Sequence, residues 1–464
     1  MIERWSRDQV LALAPDASSQ KAAQGLATPG KWSLRGTAGT MLYGECKGSG
    51  AKPYLACVDL TEPAYRCSCP SRKFPCKHTL GLLLLWSADG VPAQEAAPQW
   101  VTEWVKARAE RAARIEAARR PGDGAVRSGD GDGVSGGSHG AQPTGEETSG
   151  RGRGGESVRH GRVASGLAEL ERWLSDQVRQ GLAGAAEHDW EGLAKRLVDA
   201  QAPGVAGMVS RLGRVRSEEG WPGRLLEEYA LLNLLAVAYR LRAGLPPALG
   251  QTVLIRTGFP VTREEVLARP AVRDHWDVLG GRDEVQDRLT ARKVWLRGRR
   301  TGRPALVLSF APQGQSLDAS LVTGTTIDAD LTYYPGAAPL RALVAARRGT
   351  VPSPEPSDRS ETVPGPPALP DFSGPPGVSP EEALDEVARA LAGDPWTESW
   401  PLVLTGVVPG RTRLGGLPLH LKARDPWRLI AVSGGRPVTV AVEWTPQGLR
   451  PLTTWDGDGR AVIL

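Results

Sequence analysis

Apolar residues recur along the chain with the two-residue period of strands and with the three-to-four-residue period of helices, which predicts an α+β protein. Near the N-terminus, strand-like stretches lie at about 31–36, 40–47 and 53–60, and the turn KGSGAK separates the last two. A helix over about 6–25 is predicted before these strands, and an apolar helix from Thr79 to about Trp86 after them. The first part of the chain is therefore predicted to be a small α+β domain.

A second helix, QWVTEWVKARAERAARIEAARR, closes this first part. Apolar residues keep a helical stripe along it, at Val101, Trp104, Val105, Ala112 and Ile115. Further helices are predicted in LAELERWLSDQVRQGLA and in WPGRLLEEYALLNLLAVAYRLRAG. Pro222 near the start and Gly244 after the end mark the limits of the latter helix.

Strand-like sequence follows these helices. RKVWLRGRRTGRPALVLSFA predicts a hairpin, and TIDADLTYY alternates apolar and polar residues like a strand with one buried face. The last part begins with SPEE at 379–382, which has the serine, proline and glutamate of a capped helix start. Short strands are then predicted near 402–407, 418–423, 428–432 and 437–444. These strands predict a small antiparallel sheet or barrel.

Two segments of biased composition divide the chain. Residues 121–162 are rich in Gly, Ser and charged residues and predict a disordered linker, while residues 350–379 are Pro-rich and predict an extended one. The predicted domains, joined by these flexible linkers, are an N-terminal α+β domain at 1–120, a mixed helical and antiparallel β domain at 163–349, and a C-terminal helix with a small β domain at 380–464.

Composition narrows the class of protein. The longest apolar runs, LGLLLLW and YALLNLLAVAY, are shorter than the ~20 residues that cross a bilayer, and the charged N-terminus MIERWSRDQV does not resemble a secretory signal. We therefore expect a cytoplasmic protein, in which five cysteines in 464 residues do not form a disulfide framework. A net charge of +5 permits nucleic-acid contact without requiring it, because the abundant Arg accompanies an Ala-, Gly- and Pro-rich composition typical of a GC-rich genome.

The stretch CSCPSRKFPCKH contains three of the five cysteines. Cys67 and Cys69 are two residues apart, so in an extended chain both thiolates point to the same face. Cys76 and His78 are again two apart and directly precede the apolar helix. Three thiolates and one imidazole form the ligand set of a structural zinc site, although iron also accepts these ligand types.

Catalysis at this cluster is not expected. A catalytic zinc ion usually leaves one coordination position for water, whereas four protein ligands leave none. Elsewhere the sequence shows no nucleophile with a base and an orienting acid, and the Gly-rich stretches lack the G-K-[ST] of an ATP-binding loop. Cys46 and Cys57, in the two strands of the predicted hairpin, are interpreted as core residues. We therefore predict that the protein is not an enzyme.

The pattern C-x-C-x₆-C-x-H, preceded by the strand YLACVDL and followed by an apolar helix, resembles the SWIM zinc finger. The resemblance covers about 53–90, and it places Cys67, Cys69, Cys76 and His78 on the ligand positions of that family. Its members are regarded as DNA-binding or protein-interaction modules. The whole chain also resembles large bacterial SWIM zinc finger proteins, which are often encoded beside MoxR-type AAA+ ATPases and von Willebrand A-domain proteins.

The loop of the cluster and its flanks carry candidate contact residues, namely Arg66, Arg72, Lys73, Phe74 and Lys77. The cations can meet phosphates, or they can offset the net negative charge of one Zn²⁺ with three thiolates. Phe74 can stack on a base or enter a partner's pocket, or it can pack over the zinc site.

The leading hypothesis is a non-enzymatic, zinc-binding adaptor whose finger contacts a protein. The resemblance makes a MoxR-type AAA+ ATPase or a von Willebrand A-domain protein the candidate partner. The alternative hypothesis is a DNA- or RNA-binding protein that uses the basic loop of the finger.

Overall fold

The computed structural model of the protein describes residues 4–48, 52–61, 63–71, 73–119, 147–184, 187–286, 289–312, 315, 317–351, 374–423, 426–456 and 459–464. Most of both predicted linkers and the loop residue Arg72 lie outside the described residues. The chain divides into two compact units, one of Met1–Trp104 with Thr262–Leu464 and one of Val105–Val261. The predicted α+β class is confirmed, with a helical middle region and a β-rich C-terminal region. The boundaries of the predicted domains stay a prediction.

The N-terminal region contains the elements α1 (Arg7–Ala12), α2 (Ala17–Gln24), β1 (Trp32–Ala38), β2 (Met41–Cys46), β3 (Tyr54–Asp59), β4 (Ala64–Cys67), α3 (Lys77–Ser87) and α4 (Gln99–Arg119). The three predicted strands are confirmed. The single helix predicted over 6–25 is wrong, because two helices occupy this range. Pro15 follows the end of α1, and the Asp16 side chain accepts a hydrogen bond from the Ser19 N–H to start α2.

The four strands of this region form one antiparallel sheet in the order β1-β2-β3-β4. Helix α3 is apolar on all sides and is buried between the sheet and helices α1 and α2. Leu42 and Val58 of the sheet and Leu82 and Leu83 of the helix are fully buried in the same core. This packing positions the first turn of α3 next to the end of β4.

The second unit is a bundle whose helices are α5 (Glu147–Gln180), α6 (Glu187–Asp199), α7 (Pro203–Val215), α8 (Trp221–Arg240) and α9 (Pro247–Thr257). The two predicted helices of this part are confirmed. Helix α5 begins inside the segment 121–162, and His160 of that segment hydrogen-bonds through Nδ1 to the Tyr239 hydroxyl at 2.7 Å. In the bundle core, Trp190 Nε1 donates to the Tyr229 hydroxyl at 3.0 Å. Helical packing therefore extends into the segment predicted as a linker.

The chain returns to the first unit with the elements α10 (Arg263–Leu267), β5 (Val272–Gln286), β6 (Leu289–Gly298), β7 (Pro304–Pro312), β8 (Thr326–Tyr333) and β9 (Arg341–Val351). The strands close into a barrel in the order β5-β6-β7-β9-β8. The predicted hairpin is β6–β7, and strand β8 buries Ile327, Ala329 and Leu331 as its alternation predicts. The barrel itself was not predicted from sequence, because the parallel β7–β9 pair that closes it joins strands that are not neighbours in the chain.

The C-terminal region contains α11 (Pro380–Gly393), β10 (Trp400–Val407), β11 (Arg413–Leu414), β12 (Leu417–Pro418), α12 (Pro426–Ser433), β13 (Val438–Thr445), β14 (Gly448–Trp455) and β15 (Ala461–Ile463). The antiparallel sheet β10-β13-β14-β15 and the Ser379 capping box confirm the sequence prediction. The strand predicted at 428–432 is wrong, because this range lies in α12. Proline in the first turn suits a helix start, and Leu429 and Ser433 are buried one helical turn apart. The strand predicted at 418–423 ends at Pro418.

The N-terminal region packs directly on the loop between β7 and β8. Ala319 and Val322 of this loop belong to the same core as Leu82. The Tyr65 hydroxyl donates to the Ala319 carbonyl at 3.0 Å, and Gln9 Nε2 donates to the Thr323 carbonyl at 2.8 Å. The N-terminal region and the barrel therefore share a core in spite of a separation of more than 200 residues in sequence.

None of the helices in the described part of the chain combines the length and the apolar character needed to span a membrane.

Candidate metal centre

Three elements of the N-terminal region carry the side chains of the cluster. Cys67 is the last residue of β4, and Cys69 follows it in the loop. Cys76 is the extended N-cap residue of α3, and His78 lies in the first turn of that helix. Because Cys76 has β-region backbone while His78 is helical, their side chains turn toward the same point that Cys67 faces. The site thus links the end of the sheet to the start of the buried helix.

The ligand atoms of Cys67, Cys69, Cys76 and His78 all lie within 4.8 Å of one another. His78 Nδ1 is 3.8 Å from the Cys67 Sγ and 3.9 Å from the Cys76 Sγ. In a tetrahedral zinc site, the usual bond lengths separate two sulfurs by about 3.8 Å and a sulfur from a nitrogen by about 3.6 Å. The residues therefore fit a tetrahedral metal ion with only small side-chain adjustments. The structure brings together all four of the ligands predicted from sequence.

The thiols of the cluster influence one another strongly. A hydrogen bond from Cys67 lowers the pKa of Cys76 to about 3, and contacts with His78 and Thr79 act in the same direction. The same bond to Cys76 and burial raise the pKa of Cys67, and burial raises that of Cys69. A bound cation replaces the protons that these thiols hold, so occupation of the site releases protons.

Neighbouring side chains hold the ligands in place. The Thr79 hydroxyl lies 3.0 Å from the Cys76 Sγ, and Thr79 is completely buried. The ring of Tyr54 packs on the imidazole of His78 with centroids 4.7 Å apart and planes tilted by 33°. Contacts of this kind orient ligands before the ion binds, which makes the site more selective in geometry.

The five candidate contact residues have different surroundings. Arg66 and Lys77 are exposed. The Lys73 Nζ is also exposed but lies 2.7 Å from Asp16 Oδ2, and this hydrogen bond from Lys73 is the main cause of the lowered pKa of Asp16. Phe74 is half-buried and packs edge-on against Tyr65 with centroids 6.2 Å apart, and Arg72 lies outside the described residues. Phe74 and Lys73 therefore make contacts within the chain.

Two further cations near the cluster were missed by the sequence analysis. Lys31 and Lys47 are both exposed, and the Lys47 N–H donates to the Lys31 carbonyl at 2.8 Å. Burial has the largest effect on the Cys46 thiol and raises its pKa, whereas Lys77 and Lys31 both lower this pKa electrostatically, so both cations lie near that thiol. Their positions at the ends of the predicted strands 31–36 and 40–47 were the available signal.

The two other cysteines do not join the cluster in the part of the chain that the structure describes. Cys46 pairs with Tyr54, and Cys57 pairs with Tyr43, so the two are not cross-strand neighbours. Both are fully buried, and burial raises the pKa of Cys57 to about 12. The interpretation of both as core residues agrees with their packing in two separate apolar clusters.

Comparison with known families agrees with this geometry. The model of the SWIM zinc finger matches residues 57–86, which include all four ligands. The model of the SWIM-associated four-helix bundle domain matches residues 158–257 and therefore the helices of the second unit. In these two ranges the chain is similar to the SWIM zinc finger and to the bundle domain associated with it. No curated protein and no solved structure matches it.

The two matched ranges correspond to defined parts of the fold. The finger consists of the second half of β3, β4, the ligand loop and α3. The range matched by the bundle model begins at residue 158, inside the segment predicted as a linker and shortly before His160, which hydrogen-bonds to Tyr239. The barrel and the C-terminal sheet lie outside both matched ranges.

Proposed function

We propose that the SWIM finger holds one structural Zn²⁺ and that the chain is a non-enzymatic adaptor which binds a protein partner. The observation that supports this proposal is the convergence of three thiols and one imidazole at the junction of β4 and α3. A zinc ion with these four ligands has a complete tetrahedral shell and no position for a reacting water. The role of such an ion is structural, because it would cross-link the end of β4 to the start of α3.

Contacts around the finger support a role in protein binding. Lys73 is engaged by Asp16, and Phe74 packs against Tyr65, so these two side chains of the loop contribute to the fold. The finger also shares a core with Ala319 and Val322 of the barrel loop. A finger that is part of a larger compact unit presents a shaped surface, which suits recognition of a folded partner. The proposed partner is a MoxR-type AAA+ ATPase or a von Willebrand A-domain protein.

Two measurements test this proposal on the full chain. Elemental analysis should find one zinc ion per chain in the native protein and a loss of zinc in Cys76→Ser, whereas Cys57→Ser should retain the metal. Native protein immobilised on resin should then retain a purified MoxR-type ATPase or von Willebrand A-domain protein, and Cys76→Ser should not. If the protein contains one zinc ion per chain but retains neither candidate partner, the adaptor function is contradicted, while the proposal of a structural zinc site still stands.

Nucleic-acid binding is the second candidate, and the exposed cations Arg66, Lys77, Lys31 and Lys47 around the finger favour it. Phosphate contacts through such cations are strongly salt-dependent, with a slope of log K against log salt of about −0.9 per phosphate on duplex DNA. Binding to a duplex oligonucleotide that weakens steeply with salt, and whose slope becomes smaller in Arg66→Ala/Lys77→Ala, would support this function. Absence of binding at low salt would exclude it.

A further inference from the structure

Helix α8 of the bundle has a second apolar face in addition to the one that forms the core. Leu225, Tyr229, Leu232, Leu235 and Tyr239 are buried against the other helices. The outward stripe consists of Leu226, Ala230, Leu234, Val237 and Leu241, with Leu241 as the C-cap residue. Of these, Leu226 is 48% exposed, Leu234 is 42% exposed and Leu241 is 57% exposed. A helix that is apolar on both faces is usually covered on both.

From this face we infer that the protein forms a two-fold symmetric dimer in which α8 packs antiparallel against α8 of a second copy. Four of the five residues of the stripe form pairs about the midpoint between Asn233 and Leu234, and the fifth, Leu234, lies beside that midpoint. In an antiparallel pair centred there, Leu226 lies opposite Leu241 of the second copy and Ala230 lies opposite Val237. The same surface therefore complements itself, as a two-fold interface requires.

The polar residues of the helix agree with this register. Asn233 is exposed and lies at the edge of the stripe, halfway along it and next to the proposed two-fold axis. A single amide buried at the centre of a helix pair can bond to its symmetry mate and disfavour shifted registers, in which it has no polar partner. The sequence contains no other asparagine.

Charges at the two ends of α8 favour the antiparallel direction. Glu227 lies in the first turns and Arg240 in the last turn, and their side chains are 65% and 64% exposed. Each has a partner on its own chain, Arg224 for Glu227 and Glu171 for Arg240. Antiparallel packing brings the acidic end of one helix to the basic end of the other, and it also opposes the helix dipoles. Parallel packing would place like charges together.

The contact of one helix face is small compared with the ~1,600 Å² of a standard stable interface. We therefore expect a dissociation constant on the order of micromolar. Light scattering of the full-length protein across this concentration range should show a monomer that becomes a dimer. Leu234→Arg should raise the dissociation constant at least tenfold, and Leu421→Arg, at a residue of the other unit that is 90% exposed, should leave it unchanged. Circular dichroism establishes that both variants are folded.

Disulfide trapping tests the direction of packing. Leu234→Cys lies beside the proposed axis and should form a covalent dimer under mild oxidation. In the antiparallel dimer, the two copies of residue 226 are separated by 15 residues of helix, about 22 Å, so Leu226→Cys alone should not form a covalent dimer. A mixture of the Leu226→Cys protein with the Leu241→Cys protein should cross-link, because these two positions lie opposite each other. The unsubstituted chain under the same oxidation controls for the native cysteines.

A protein that stays monomeric at a concentration of hundreds of micromolar would overturn the inference. Self-cross-linking of Leu226→Cys would overturn the antiparallel arrangement. Because the stripe lies in the bundle and not in the finger, neither result depends on the metal or on the proposed partner.

Discussion

The SWIM finger and the SWIM-associated bundle are stabilised by different kinds of interaction. In the finger, four candidate metal ligands from β4, the loop and α3 meet at one point, where a bound cation would replace the protons of the thiols. In the bundle, large apolar side chains such as Trp190, Leu193 and Leu232 fill the core without an ion. The comparison indicates that metal should control the order of one region and leave the other unaffected.

Removal of a metal ligand should give the largest difference between the two regions. Cys76→Ser should abolish binding of the ion, and with it an apparent binding free energy of about 10–16 kcal/mol that also stabilises the fold. We expect fast hydrogen exchange across β4 and α3 while the bundle helices stay protected, measured by mass spectrometry. Cys57→Ser, at a buried cysteine outside the cluster, should leave exchange in α3 slow. Equal protection of α3 in Cys76→Ser and native protein would show that the ion is not needed for its order.

The reverse test is a cavity in the bundle. Trp190 is 2% exposed, so Trp190→Ala should destabilise this unit by about 3–5 kcal/mol through loss of packing. Trp190→Phe keeps most of the volume and mainly removes the hydrogen bond to Tyr229, which should cost about 1 kcal/mol. Denaturant unfolding monitored by hydrogen exchange reports the stability of each unit separately. A chelator should not change the loss of stability of the bundle in either variant. A chelator-dependent stability of the bundle would contradict the proposed independence.

The packing of the N-terminal region on the barrel loop depends on Gly324. Its φ is +81°, and an added Cβ would overlap the Cβ of Ala461 and approach Gln9 Nε2 to 2.9 Å. Gly324→Ala should therefore destabilise the first unit by about 2–4 kcal/mol, the sum of backbone strain and overpacking. Gly302→Ala is the matched control, because Gly302 has φ +64° with open space around it and should cost about 1 kcal/mol. If thermal unfolding shows equal losses of stability in Gly324→Ala and Gly302→Ala, the close packing at Gly324 is unimportant.

Acid should weaken the first unit through His420. Burial, assisted by the charge of Arg450, lowers the pKa of His420 to about 4, and its Nε2 lies 2.7 Å from an Arg450 guanidinium nitrogen, which donates to it. The unfolded imidazole has a pKa near about 6.5, so the unfolded state binds the proton first and stability falls between about pH 6.5 and 4. The loss attributable to this residue is on the order of 2 kcal/mol. In His420→Gln, unfolding free energies measured across this range should depend less on pH, and an unchanged dependence would exclude His420 as the cause.

The candidate site was predictable from sequence because its determinants are local. All four ligands lie between residues 67 and 78, and the spacing of each pair fits the element that carries it. The surroundings of the loop were less predictable. From its position in the loop, Lys73 is predicted to be a contact cation, but in the structure it binds Asp16, a carboxylate far away in sequence. The spacing of charges along a chain does not reveal which cations already have partners in the folded protein.

The secondary-structure elements also differ in how well the local sequence predicts them. Alternation in TIDADLTYY predicted the buried face of β8, and SPEE predicted the start of α11, because pleat and capping act over a few residues. The range 428–432 was interpreted as a strand because a short apolar run fits either element, and the structure has a helix there. Whether a short apolar run forms a strand or a helix depends on the residues that it packs against.

By itself, the sequence determined the four candidate metal ligands, the resemblance to the SWIM finger, the apolar helices of the bundle and the capped start of α11. Only the tertiary structure decided that β7 and β9 close a barrel, that Ala319 and Val322 complete the core of the finger region, and that α8 retains an exposed apolar stripe. The physical reason is distance along the chain. Ligand spacing, pleat and helix caps act between residues a few positions apart, whereas closure, docking and exposure depend on side chains that meet only after the whole chain has folded.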